Sequence, residues 1–151
     1  MRLMHLLVAG GVAALTAARL DAQTASPIAA DSAGLQGTWR MVSGAADGYP
    51  LPPEYVEQMR RVFTGTDLTV TLGGALYFRA TVVLGRSDTV RTIDYHMTGG
   101  PTAGAVQLGI YTLAGDTARF CFAGARAPRP TVFATTQGDG RTLSTWVRAG
   151  R

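Results

Sequence analysis

The sequence predicts an all-β fold: a small antiparallel up-and-down β-barrel of about eight strands, with one short helix after the first strand. Three observations carry this prediction. Apolar and polar residues alternate with period two in short runs from Gly37 to Val147, as half-buried antiparallel strands require. Turn signals such as Gly73-Gly74, Gly115-Asp116 and Gly138-Asp139-Gly140 separate these runs at hairpin spacing. One stretch alone, Pro53 to Arg60, has helix character, with proline at its start and Glu54 in its first turn.

Ahead of the barrel, residues 1–22 read as a signal peptide. Arg2 is a weak positive start, Leu3 to Ala18 is mostly Leu, Val, Ala and Gly, and Ala22 is a small residue at the cleavage position. The apolar run is short for a stable membrane span. Residues 23–33 are small, polar and proline-containing, which predicts a flexible leader. Residues 34–151 are then one barrel domain, long enough to bury a core without staples.

Within the barrel, Gly37, Trp39 and Met41 share one face of the first strand, and Asp47-Gly48 with Pro50, Pro52 and Pro53 ends it. Leu68, Val70 and Leu72 alternate with Thr69 and Thr71. Phe78, Ala80 and Val82 face inward on the next strand, opposite Tyr77, Arg79 and Thr81. Ile93, Tyr95 and Met97 do so on the strand after. Val106, Leu108 and Ile110 open the following strand, with Leu108 and Ile110 read as inward, and then Phe120 and Phe122 face inward on the next. Thr131 to Thr135 is read as a further strand, and Leu143, Thr145 and Val147 as the alternating set of the last.

The formal charge of +4 comes from 14 basic residues, all arginine, against 10 acidic ones. The arginines are scattered and give no clustered basic face, so no nucleic-acid partner is expected. With one cysteine in the chain, no intramolecular disulfide forms. Cys121 lies between Phe120 and Phe122, where burial suits a small apolar side chain.

The residues do not assemble a catalytic set. A Cys–His nucleophile pair would need Cys121 beside His96 and an orienting partner, and no such spacing is present. A zinc site needs three or four ligands, which one histidine and one cysteine beyond the signal do not supply; no metal and no cofactor are expected. Asp47, Asp88, Asp116 and Asp139 lie in turns, where their side chains serve the backbone. Gly99-Gly100-Pro101 lacks the strand-to-helix context of a phosphate loop.

The stretch Leu35-Gln36-Gly37-Thr38-Trp39-Arg40-Met41 carries a lipocalin-type Gly-x-Trp. With Asp47-Gly48-x-Pro50-Leu51-Pro52, Leu108-Gly109-Ile110-Tyr111, Leu113-x-Gly115-Asp116-Thr117, Cys121-Phe122 and Arg129-Pro130-Thr131-x-Phe133, it resembles a bacterial lipocalin-like domain family of unknown function, multiplied in planctomycetes. The resemblance covers Leu35 to about Arg148 and implies a fold, with no activity or ligand attached. By likeness to lipocalins at large, Trp39 packs at the closed end of the barrel under Arg148, with Gly37 beside them as structural residues.

The lumen is the remaining functional candidate, with Phe78, Tyr95, Met97, Tyr111, Phe120 and Phe122 as candidate ligand-binding residues. Ala80, Gly109 and Thr145 are small enough to leave space, and Tyr95 and Tyr111 offer hydroxyl groups. Two functions stay open. One is an exported, periplasmic or extracellular, non-enzymatic module that binds a small, mainly apolar ligand. The other is an envelope structural or protein-interaction module with a filled core, gripped by a partner protein at Tyr49, Tyr77 and Arg79.

Overall fold

The computed structural model describes residues 26–150. The expected signal peptide and its cleavage after Ala22 lie outside the described residues. In chain order the elements are α1 (Pro27–Leu35), β1 (Gly37–Ala46), β2 (Tyr49–Pro50), α2 (Pro53–Gln58), β3 (Met59–Thr64), β4 (Asp67–Leu72), β5 (Ala75–Ser87), β6 (Val90–Gly99), β7 (Val106–Ala114), β8 (Thr117–Phe122) and β9 (Thr142–Arg148).

The strands pair in the order β2-β1-β3-β4-β5-β6-β7-β8-β9, and β1 also pairs with β9. All the pairings are antiparallel. The sheet therefore closes on itself as an eight-stranded barrel, with the two-residue β2 appended to β1. Closure removes the unpaired edges that a flat sheet of this length would expose. β1 is the pivot of the closure: Gly37 to Arg40 pair with β3, and Trp39 to Ala46 pair with β9. Beyond Arg40 the β1–β3 ladder stops, and α2 packs into the opening with Val56 against the core.

Residues 23–33 were expected to be a flexible leader, but Pro27 to Leu35 form α1. Ser26 caps it by accepting from the Ala29 amide at 3.2 Å, and Pro27 occupies its first turn. A serine followed by proline is the sequence signal for such a start. The helix lies across one end of the barrel, where it buries Leu35 and Asp31.

Three strand assignments also change. On β7 the core-facing residue is Tyr111, which pairs with Phe120, so Leu108 and Ile110 face outward. On β9 Trp146 is the core residue, so Thr145 points away from the lumen. Thr131 to Thr135 is not a strand; it belongs to the irregular segment 123–141. β8 is already paired on both sides, with β7 and β9, so the closed barrel leaves no edge for this stretch to join, and Pro128 and Pro130 just before it lack backbone donors.

That segment lies over the outer face of β6, β7 and β8. Arg129 reaches Asp94 and the Gly109 carbonyl, Cys121 Sγ donates to the Ala134 carbonyl at 3.6 Å, and the Ala123 amide donates to Leu108 O at 2.8 Å. It explains why Ile110 and Cys121, a cross-strand pair on the outside of the barrel, are buried. Burial raises the Cys121 thiol above its ordinary pKa.

Candidate functional site

One end of the barrel is sealed. Trp39 is fully buried there, donating from Nε1 to the Leu35 carbonyl at 2.8 Å. The Arg148 guanidinium lies 4.4 Å from the Trp39 ring centroid. Its nitrogens all have partners: Nε donates to Asp116 at 3.0 Å, Nη1 to Gln36 O at 2.7 Å and Nη2 to Gly34 O at 2.6 Å. Gly37 adopts a φ of 98° at this corner, and a Cβ there would stand 3.5 Å from Arg148 Nη1. The left-handed backbone, more than the space, is what calls for glycine. Gln36 ties in the β3–β4 turn, donating to Gly65 O at 3.0 Å and accepting from the Gly65 amide at 2.7 Å.

The other end opens into a cavity of about 300 Å³, at the small end of ligand sites. Its walls include Met41, Leu51, Met59, Val70, Phe78, Met97 and Phe122, with Tyr77, Pro101 and Thr102 toward the rim. The floor is polar. Arg61, 4% exposed, follows the inward phase of β3 between Met59 and Phe63. Its Nη1 donates to Tyr95 Oη at 3.0 Å. Its Nε is buried with no hydrogen-bond partner among the described residues. None of the ion pairs among these residues, Arg91–Asp31, Arg129–Asp94 and Arg148–Asp116, involves it.

Aromatic faces hold the cation instead. The Arg61 Cζ lies 3.9 Å from the Trp146 ring centroid, 4.3 Å from that of Phe120 and 5.9 Å from that of Phe63. Ring quadrupoles attract a cation, and more so when water is excluded. Burial nevertheless lowers the Arg61 pKa from its ordinary value, against the pull of Tyr95. Burial raises that of Tyr95, against the pull of Arg61.

The six lumen candidates therefore separate. Phe78, Tyr95, Met97 and Phe122 line the cavity. Phe120 lies beneath it, under Arg61. Tyr111 belongs to the sealed end, donating its hydroxyl to Asp31 Oδ2 at 2.7 Å, so it offers the cavity no polar group; burial and that bond raise its pKa. Gly109 leaves no space either: a Cβ there would fall 2.5 Å from Phe122 Cδ1, because that ring occupies the place of the missing side chain.

Sequence reasoning missed Arg61 and Trp146. The signal for Arg61 was present: Met59-x-Arg61-x-Phe63 puts an arginine on the apolar phase of a strand.

His96 and Cys121 stay apart. Register aligns Thr92 with Ile110, and Ile110 with Cys121, so His96 lies four residues, about 13 Å, further along the neighbouring strands. Among the described residues no three or more His, Cys, Asp or Glu side chains come together as metal ligands, and no helix is long and apolar enough to cross a membrane. Comparison with family models, curated proteins and solved structures finds no match for this chain.

Proposed function

We propose that this protein is an exported binding module that admits one small, mainly apolar molecule through the open end of its barrel, without catalysis. The observation that carries the reading is the contrast in filling along one lumen. The sealed end is packed by Trp39 and Leu35, while the other end keeps a cavity of about 300 Å³ walled by Met, Leu, Val and Phe side chains. An apolar pocket on a rigid scaffold, with few polar groups, is the common form of a small-molecule site. The export component and the kinship with the bacterial lipocalin-like family rest on the sequence motifs and form part of the proposal.

Native mass spectrometry of the protein, purified gently from its source compartment, tests the reading. A reproducible added mass that denaturation releases is the expected result. A bare monomer mass, with no thermal shift across a panel of lipids and small metabolites, would overturn it. That outcome would turn attention to the envelope-interaction alternative, which draws on Tyr49 and Tyr77, both well exposed.

A further inference from the structure

The floor of the cavity says more about its occupant than the walls do. Burying a guanidinium without a carboxylate partner costs several kcal/mol. Among the described residues the pocket-lining Arg61 has a single side-chain hydrogen bond, from Nη1 to a neutral tyrosine, and its Nε is sealed from bulk water without a partner. The aromatic faces of Trp146, Phe120 and Phe63 partly offset the cost, but they cannot accept an N–H bond as an oxygen does. Tyr95 accepts from Arg61, which leaves its own hydroxyl proton available to donate. Two donors, one of them cationic, thus stand at the bottom of a lumen whose upper walls are apolar.

We infer that the ligand is an amphipathic monoanion, a carboxylic acid with an apolar tail, bound with its carboxylate down on Arg61 and Tyr95 and its tail rising past Met59 and Met97 toward the opening. This inference rests on the lumen being a binding site. The single positive charge selects the headgroup class. A carboxylate neutralises Arg61 one for one, whereas a phosphate monoester, with about −1.5 to −2 charges near neutral pH, would bury an excess negative charge that no second cation among the described lining residues answers. Charge-assisted hydrogen bonds of this kind are short and strong, and arginine suits carboxylates by its planar set of donors.

The test compares decanoate, 1-decanol and decyl phosphate on the delipidated full chain by isothermal titration calorimetry, which needs no change to the protein. Decanoate is expected to bind roughly ten- to a hundred-fold more tightly than 1-decanol, and decyl phosphate more weakly than decanoate. In Arg61→Met the advantage of the acid over the alcohol should vanish while 1-decanol binding persists; Arg61→Gln serves if that variant does not fold. Equal affinity of acid and alcohol for the unaltered lumen would overturn the anion inference and leave the binding module standing. Tighter binding of decyl phosphate than decanoate would overturn the carboxylate assignment. Binding of none of the three would remove the lumen reading and this inference with it.

Discussion

The barrel contains two arginine–tryptophan stacks, and they are built to opposite rules. At the sealed end Arg148 lies over Trp39 at 4.4 Å and gives every nitrogen to an oxygen of Asp116, Gln36 or Gly34. At the cavity floor Arg61 lies over Trp146 at 3.9 Å, more deeply buried, with one bond to Tyr95 and an Nε that bonds to nothing described. The same pair of residue types is a completed clasp in one place and an unfinished one in the other. Burial alone does not distinguish a structural arginine from a binding arginine; the count of satisfied donors does.

The largest effect should come from the completed clasp. Trp39→Ala removes a fully buried indole that also anchors α1 through Leu35 O. A loss of about 3–5 kcal/mol in a denaturant melt is expected. A loss below about 1 kcal/mol would mean that the sealed end is not where the fold keeps its stability.

Replacing each arginine by methionine sharpens the contrast in sign. Arg148→Met strips partners from two carbonyls and a carboxylate, at an expected cost of about 1–3 kcal/mol; its partial exposure holds the figure to the lower half of that range. Arg61→Met trades an unpaired buried cation for an apolar side chain of similar reach. The lost cation–π attraction, about 2 kcal/mol, is set against a desolvation penalty of several, so the ligand-free variant should melt at or above the temperature of the unaltered protein. A clear drop in its melting temperature would make Arg61 a structural plug like Arg148 and end the distinction.

Gly109→Ala probes how full the lumen wall is. The new Cβ would meet the Phe122 ring at 2.5 Å and the Cys121 carbonyl at 3.0 Å. Overpacking of this sort costs about 1–3 kcal/mol, and Gly109→Ala with Phe122→Leu should recover part of it in the same melt. No recovery would place the strain on the Cys121 backbone rather than on the ring.

How much of this was legible in the sequence varies with what fixes each feature. The barrel was readable because closure needs only short alternating runs and hairpin turns, and Trp39 with Met41 kept a clean phase. β7 and β9 were not, for different reasons. On β7 both faces are buried, one in the lumen and one under segment 123–141, so apolarity at Ile110 carried no information about direction. On β9 Leu143-Ser144-Thr145-Trp146-Val147 offers an apolar residue to either phase. α1 went unread because its burial depends on partners remote in sequence: Tyr111 and Arg91 bind Asp31. Of the cavity, the apolar walls were read and the arginine at its floor was not, since an arginine is usually assigned to solvent.

The smallest expected effect lies outside the lumen, on the segment that covers the outer face of the barrel. Burial would by itself raise the Asp139 pKa, but bonds from the Arg141 and Thr136 amides and the Thr135 and Thr136 hydroxyls outweigh it, so the carboxyl titrates below its ordinary value. A carboxyl with a depressed folded pKa contributes stability in full above its unfolded pKa, near 4 for Asp, and loses that contribution as pH falls through the folded one. Segment 135–141 should therefore hold its amide protection at neutral pH and loosen below about pH 4, while the Trp39 end stays closed. Asp139→Asn should show the looser exchange already at neutral pH and admit a thiol reagent to Cys121 faster, because the Ala134 carbonyl that Cys121 meets sits at the root of the same turn. Unchanged Cys121 reactivity in that variant would show that Arg129, bridging Asp94 and the Gly109 carbonyl, holds the cover without the Asp139 turn.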